Sequence, residues 1–460
     1  MTDIKKLLIS RESTVRDAMS AIQKNTRGVV CLVDESDGVV GILSDGDIRR
    51  YLIGGGSISD IASSCATTDF VWGNVDSSRE LLIKKLDSHI KVIPILDSKR
   101  QLVDLITKDH FPMPSEQPIY SRGVAPVRIS FGGGGSDLTH YFSEVGGAVI
   151  NAAISLYSHA TLRLRDDERV LIQSRDLKTA IDETSLDAAL SKDGKLGLIQ
   201  ALLRVIEPKF GFELYLHSDF PMGSGLGGSA TLSAAILACF NQFRRDRWNH
   251  YEMAELAYQA ERLMLRVSGG WQDQYASVFG GFNFIEFRME KNIVHPLRID
   301  QGVLSELEES LVLCNTKTTH DSGDIHDDQR KQMSRRDIKD LVRQNVEISY
   351  ALRDFLLRGN LREFGLLLDK TWSIKKRFSE YISTEAIDKI YEGSKLNGAS
   401  GGKLLGAGGG GFLMFFVPPE KKNHLMSYLD EEGLIVQPFR FEKDGVRAWT
   451  SREKILERKA

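Results

Sequence analysis

Pro221-Met222-Gly223-Ser224-Gly225-Leu226-Gly227-Gly228-Ser229-Ala230 places four glycines within six positions, between two stretches whose structure can be read from their periodicity. Before it, Phe212, Leu214 and Leu216 alternate with Glu213, Tyr215 and His217, the two-residue period of a half-buried strand. After it, Leu232, Ala235, Ile236, Cys239, Phe240 and Phe243 recur at spacings of three and four, which predicts an amphipathic helix starting near Ser229. The glycines therefore form a strand-to-helix turn. Unpaired N–H groups and the positive end of the helix dipole would face whatever the turn admits, and a triphosphate is the natural guest. The spacing is neither G-x-G-x-x-G nor a loop ending in G-K-S/T. Taken alone, the turn serves equally as a phosphate cradle, a dinucleotide-binding turn or a tight structural bend.

Two further clusters surround it. Fifteen of the 41 glycines lie at 132–135, 223–228 and 401–411. The first belongs to Ala125-Pro126-Val127-Arg128-Ile129-Ser130-Phe131-Gly132-Gly133-Gly134-Gly135-Ser136-Asp137. The last belongs to Lys403-Leu404-Leu405-Gly406-Ala407-Gly408-Gly409-Gly410-Gly411-Phe412. Such localisation points to backbone brought close to a ligand. The 460 residues, 42% hydrophobic and 27% charged, have the composition of a soluble multidomain protein, and a formal charge of −3 gives no reason to expect a nucleic-acid partner. Cysteines 31, 65, 239 and 314 form no C-x-x-C pair, and the ten histidines form no H-E-x-x-H, so reduced thiols and no structural zinc are expected. Charges throughout the first twenty residues, and the lack of an apolar stretch of roughly 20 residues, lead us to expect a cytoplasmic protein with no membrane partner.

Residues 29–48 recur 63 positions later. Val29-Val30-Cys31-Leu32-Val33-Asp34 matches Val92-Ile93-Pro94-Ile95-Leu96-Asp97, and Gly41-Ile42-Leu43-Ser44 matches Asp104-Leu105-Ile106-Thr107. Helical patterns precede each pair of strands, with Val15, Ala18, Met19 and Ile22 in the first copy and Leu81, Leu82 and Leu86 in the second. The expected order is helix, strand, strand, helix, twice. With Gly41-Ile42-Leu43-Ser44-Asp45-Gly46-Asp47-Ile48-Arg49-Arg50, this resembles a tandem pair of cystathionine-β-synthase-type (CBS) repeats. The resemblance implies an adenine-nucleotide sensor in which Ser44 and Asp47 bond ribose hydroxyls, or else a module for homo-oligomer formation or scaffolding without a ligand. In the second copy Asp104 replaces Gly41 and His110 replaces Asp47, which argues against a second equivalent nucleotide site.

The ordered glycine trio resembles the GHMP kinases, named for galactokinase, homoserine kinase, mevalonate kinase and phosphomevalonate kinase. Their motifs are of the types A-P-G-R/K, P-x-G-x-G-L-G-S-S-A and G-A-G-G-G-G, in this order, and the likeness spans roughly 122–450. Val127 and Gly228 depart from the usual Gly and Ser. The implied fold is α+β, a ribosomal-S5-like N-terminal half (122–310) and a ferredoxin-like C-terminal half (311–460). A tandem CBS module (1–111) and a linker (112–121), rich in proline at Pro112, Pro114 and Pro118, would precede it. ATP would bind Pro221, Gly223, Ser224, Gly225, Leu226, Gly227, Gly228, Ser229 and Ala230, with Mg²⁺ on Ser229 and on Glu261. Asp273, in Gly269-Gly270-Trp271-Gln272-Asp273-Gln274-Tyr275-Ala276, would be the general base, with Arg128 keeping it charged and stabilising the transferred phosphoryl group. Glu261 and Asp273 stand one residue further apart than in mevalonate kinases, and a surface-helix Glu is the alternative reading of Glu261.

Asp137 occupies the place where the family's sugar kinases hold two hydroxyls, although it would also suit as the cap of a helix beginning at Leu138. Arg128 with Asp137 resembles the galactokinase and fucokinase branch, which phosphorylates the anomeric hydroxyl. Asn151-Ala152-Ala153-Ile154-Ser155-Leu156-Tyr157, Gly280-Gly281-Phe282-Asn283-Phe284, His295-Pro296-Leu297-Arg298-Ile299 and Trp372 resemble the heptose 7-phosphate kinases of GDP-heptose synthesis. Gly134, Gly135, Gly409 and Gly410 would then approach a phosphorylated sugar. Lys375, Lys376 and Arg377 are candidates for its phosphate, or a solvated basic helix face. An unphosphorylated hexose, a diphosphate decarboxylase and a catalytically silent sugar sensor are the rival readings.

Overall fold

The 63-residue offset in the sequence returns as strand register. Val29 pairs with Ser44 and Val92 with Thr107, and each ladder carries an irregularity at the same step, Leu32/Val33 and Ile95/Leu96. The computed structural model describes residues 4–86, 90–108, 118–221, 223–317, 325, 328, 331–332 and 335–452, and the chain divides into compact units 1–115 and 116–460. In the first unit β1 (Leu8–Ser10), β2 (Val29–Val33) and β3 (Val39–Ser44) form one sheet. A second sheet holds β4 (Gly73–Asn74), β5 (Val92–Leu96) and β6 (Leu102–Thr107). Each copy adds its first strand parallel and its third antiparallel to the middle one.

The helix Val15–Asn25 begins on a Thr14–Asp17 capping box and buries Val15, Ala18 and Ile22. Met19, placed on the same face by its spacing, is exposed instead. Ser44 and Asp47 form the capping box of helix Asp45–Ile53, and Arg50 pairs with Asp47. These two side chains therefore hold each other, and a ribose would have to displace that bond. His110 and the closing helix of the second copy lie outside the described residues, as do residues 112–117 of the expected linker. Residues 118–121 are strand.

In the larger unit, β7 (Pro118–Gly132) and β8 (Gly147–Leu164) are paired along most of their length. On its other edge β8 pairs with β11 (Phe212–Ser218) through its C-terminal half and with β12 (Phe282–Phe287) through its N-terminal half. β9 (Val170–Ser174), β10 (Thr179–Glu183) and β13 (Asn292–Pro296) extend the sheet. The helix Gly228–Asn241 is buried almost all round in a core with Leu162, Leu214 and Phe212, which explains its run of small and apolar residues. A second sheet, in the order β15 (Gly401–Leu404), β16 (Phe412–Phe416), β14 (Leu311–Asn315), β17 (Ile435–Val436), packs with helices Arg336–Leu357 and Leu361–Lys375 around Trp372 and Phe415. The C-terminal half is not wholly separate: β18 (Arg447–Arg452) returns to pair with β7. Among the described residues no helix is long and apolar enough to cross a membrane.

Candidate active site

The three glycine clusters meet. Gly225 and Gly406 both adopt the left-handed backbone (φ +74° and +70°), and a Cβ on Gly406 would lie 2.6 Å from the Gly225 Cα. Phe412 N–H donates to the Ser224 carbonyl at 3.2 Å, joining the third loop to the second. Glycine here serves loop-on-loop packing as well as access for a ligand. Together the loops wall a cleft of about 310 Å³. The helix Gly228–Asn241 opens into it from Gly227, in the left-handed region, with no side chain capping its first N–H groups. Those donors are left for an anion.

Gly223, Ser224, Gly225, Gly227, Gly228, Ser229 and Ala230 line the cleft. Leu226 does not: it is fully buried in the core, and its carbonyl accepts from the Arg128 N–H at 3.3 Å, pinning the loop. Pro221 is exposed outside the cleft. These two expected ATP contacts are therefore loop-shaping residues.

Arg128, on β7 and 3% exposed, donates from Nε (2.8 Å) and Nη2 (2.7 Å) to Asp273 Oδ1, and from Nη1 to the Gly225 carbonyl at 2.7 Å. Asp273 lies in the first turn of helix Gln272–Phe279, where the dipole favours a carboxylate. Asp137 accepts from the N–H groups of Gly135 (3.1 Å) and Gln272 (3.2 Å), and a Cβ on Gly270 would lie 1.9 Å from its Oδ2. It does not cap the helix that follows it, because Thr139–Val145 begins from Leu138 without a side-chain cap. Desolvation in the cleft wall, then the Asp273 charge, push its carboxyl above the usual carboxylate range. The result is an ion pair and a second carboxylate around one small space, the arrangement needed to orient a hydroxyl and receive its proton.

Glu261 is 6% exposed, so the surface-helix reading fails. It sits on a π-turn, Gln259–Met264, closed by Leu265 N–H to the Ala260 carbonyl. An i→i+5 turn accommodates one residue more than an α-turn, which accounts for the longer spacing to Asp273. Gln274 Nε2 donates to Glu261 at 2.8 Å, Arg262 pairs with it at 3.3 Å, and the Ser229 hydroxyl bonds it. Burial and the neighbouring charge of Asp273 raise its proton affinity. Ser229 and Glu261 are thus hard oxygen donors side by side at a helix N-terminus, a set that suits Mg²⁺.

Gly134, Gly135 and Gly410 line the cleft. Gly409 does not, since its N–H is bonded to the Ile382 carbonyl at 2.9 Å. Lys375 is 5% exposed and reaches the cleft, with Nζ donating to the Gly406 carbonyl. Lys376, one residue further round the helix, points elsewhere and pairs with Asp388 at 3.0 Å, and Arg377 is exposed. The basic run is therefore divided between site and surface. Two features were missed in the sequence. One is the apolar wall of Leu177, Leu196, Ile199, Phe220 and Leu232; the other is a buried Lys403 in the cleft. Leu196 and Ile199 carried a helical pattern that could have flagged a wall, but nothing local aimed it at the loop.

Comparison with known proteins identifies the domains. The GHMP kinases N terminal domain matches residues 196–281 and the GHMP kinases C terminal domain residues 352–433, while a CBS domain matches residues 2–54. The D-glycero-alpha-D-manno-heptose 7-phosphate kinase of Campylobacter jejuni is 38% identical over 334 residues, covering 71% of this chain and 98% of that protein. A crystal structure of a D-glycero-D-manno-heptose 1-phosphate kinase from Bacteroides thetaiotaomicron superposes with a TM-score of 0.61 at 32% identity, over 72% of this chain and 98% of that one. Galactokinase of Lactococcus lactis, crystallised with galactose, shares the fold (TM-score 0.59, 20% identity, 71% and 95% coverage). The chain belongs to the GHMP kinases, as a sugar kinase of the heptose-phosphate kinase type with a CBS domain at its N-terminus.

Proposed function

We propose that the protein transfers the γ-phosphoryl group of ATP to the anomeric hydroxyl of D-glycero-D-manno-heptose 7-phosphate, giving the 1,7-bisphosphate for GDP-heptose synthesis. The observation that carries this reading is the Arg128–Asp273 ion pair beside Asp137, facing the uncapped N-terminus of helix Gly228–Asn241. Asp137 accepts bonds from sugar hydroxyls and fixes the ring. Asp273 accepts the anomeric proton as the hydroxyl oxygen bonds to the γ-phosphorus and the bond to the β-phosphate oxygen breaks, releasing ADP. Arg128 and the N–H groups of the Gly223–Ala230 loop stabilise the charge that spreads over the phosphoryl oxygens. Ser229 and Glu261 would hold Mg²⁺, which supplies further charge neutralisation on the triphosphate when bound. The apolar wall formed by Leu177, Leu196, Phe220 and Leu232 suits the adenine base.

The name of the 38% identical relative supports the heptose phosphate over a free hexose, and so does Lys375 inside the cleft. A coupled ADP-release assay over heptose 7-phosphate, galactose, fucose and mannose tests it. Turnover with heptose 7-phosphate at least tenfold above the others is expected. A preference for galactose or fucose would refute the assignment.

A further inference from the structure

Five cationic residues line the cleft; Lys195 is exposed, and of the other four two have no carboxylate in contact. Arg128 is paired with Asp273 and Arg262 with Glu261. Lys375 has its one bond to a backbone carbonyl. Lys403, on β15 and 2% exposed, lines the cleft, and its side chain has no hydrogen-bond or ion-pair partner among the described residues. A lysine buried to this degree normally has a partner, because an unpaired ammonium out of water is costly. Desolvation lowers the proton affinity of both, Lys375 to about 8 and Lys403 well below its ordinary value, and the repulsion of Lys375 and then Arg128 adds to the effect at Lys403. An anion in contact with both would reverse each of these penalties.

The position of the pair indicates which anion. Lys375 feels the charges of Asp137 and Asp273, the two acceptor-side carboxylates, and Lys403 lies next to Lys375. Glu261 marks the triphosphate side together with Ser229. We propose that Lys375 and Lys403 form the subsite for the phosphate monoester already carried by the acceptor sugar, and that Lys403 sets the preference for phosphorylated over free sugars. This rests on the reading that the anomeric hydroxyl lies at Asp273, so that the sugar's far end runs past Lys375.

The test is Lys403→Met in the full chain, assayed with heptose 7-phosphate, the same heptose without phosphate, and varied ATP. Loss of one charge-assisted contact to phosphate predicts a fall of about 10- to 100-fold in kcat/KM for the sugar phosphate. The fall should appear as a higher KM, with partial rescue in Lys403→Arg and a KM for ATP within twofold of wild type. The ratio of the two kcat/KM values should collapse towards the free sugar. An unaltered ratio overturns the subsite, and so does an effect confined to the KM for ATP, which would assign Lys403 to the triphosphate. If wild type itself prefers a free sugar, the heptose-phosphate reading has failed, a result distinct from failure of the subsite alone. Should Lys403→Met not fold, inhibition of wild type by inorganic phosphate carries the test. Competition against the sugar phosphate is expected, and competition against ATP alone refutes the proposal.

Discussion

Asp273→Asn separates the chemistry of the site from its architecture. Both Arg128 contacts end on Asp273 Oδ1, at 2.8 and 2.7 Å, and an asparagine oxygen can accept both. Arg128 also keeps its bond to the Gly225 carbonyl. The folding cost should therefore fall below the about 3–5 kcal/mol typical of removing one partner of a buried pair. What asparagine cannot do is take a proton. Loss of a general base costs about 10²- to 10⁴-fold in rate, or about 3–5 kcal/mol of transition-state stabilisation. The side chain of Asp273 is 23% exposed, so water can stand in for it and leave a residual rate. The assay is ADP release at saturating ATP and sugar phosphate, with the melting temperature as control. A turnover within threefold of wild type, in a protein that melts normally, would refute the role of Asp273 as base.

Glu261→Gln keeps the bond with Gln274 possible but removes a charge, so the Mg²⁺ concentration for half-maximal activity should rise about tenfold or more, with the KM for sugar little altered. A magnesium titration of activity checks this. Gly406→Ala forces a left-handed residue into the Gly225 backbone, and should lower stability by about 1–3 kcal/mol and reduce turnover, read by denaturant melts and the kinase assay. Lys375 is charged only below about pH 8, so kcat/KM for the phosphorylated acceptor should fall as pH rises through that value, while a free sugar shows no such limb. Stability moves the other way: between about 8 and the unfolded lysine value the unfolded chain binds more protons, so resistance to urea should increase with pH in that window, and Lys375→Met should reduce the increase to the part that Lys403 contributes.

Much of this was legible because the decisive signals were local. Strand 212–217 and a helix starting near Ser229 followed from spacing, and the structure gives Phe212–Ser218 and Gly228–Asn241. The repeat was legible because an identical offset forces identical pairing. What could not be read were meetings across long separations. Arg128 and Asp273 were named through family likeness, but their contact spans 145 residues and depends on how β7 lies against helix Gln272–Phe279. Lys375 and Lys376 look equivalent in sequence, and a rotation of one residue about the helix axis sends one to the cleft and the other to Asp388. Lys403 sits in a short strand whose residues are all buried, so its facing was settled by the β14–β16 sheet and not by its neighbours. Ser44 and Asp47 were correctly placed at a strand-to-helix turn, yet the same three-residue spacing also makes a capping box, and local geometry favoured that use.

The pairing of β18 with β7 sets a timetable for biogenesis. Tyr120 meets Ser451 and Val124 meets Arg447, so the larger unit's opening strand is bordered by residues translated more than 300 positions later. During synthesis β7 can zip onto β8 within the first fifty or so residues of the unit, but its other edge stays open until residues 447–452 have left the ribosome. For most of translation the nascent chain therefore carries an exposed strand edge, a template for pairing with other chains. Arg122 within the paired part of β7, and Arg447 within its eventual partner, are basic residues of that ladder. Truncation before residue 447 should leave it permanently open, and such chains should aggregate even though every residue of the cleft is present.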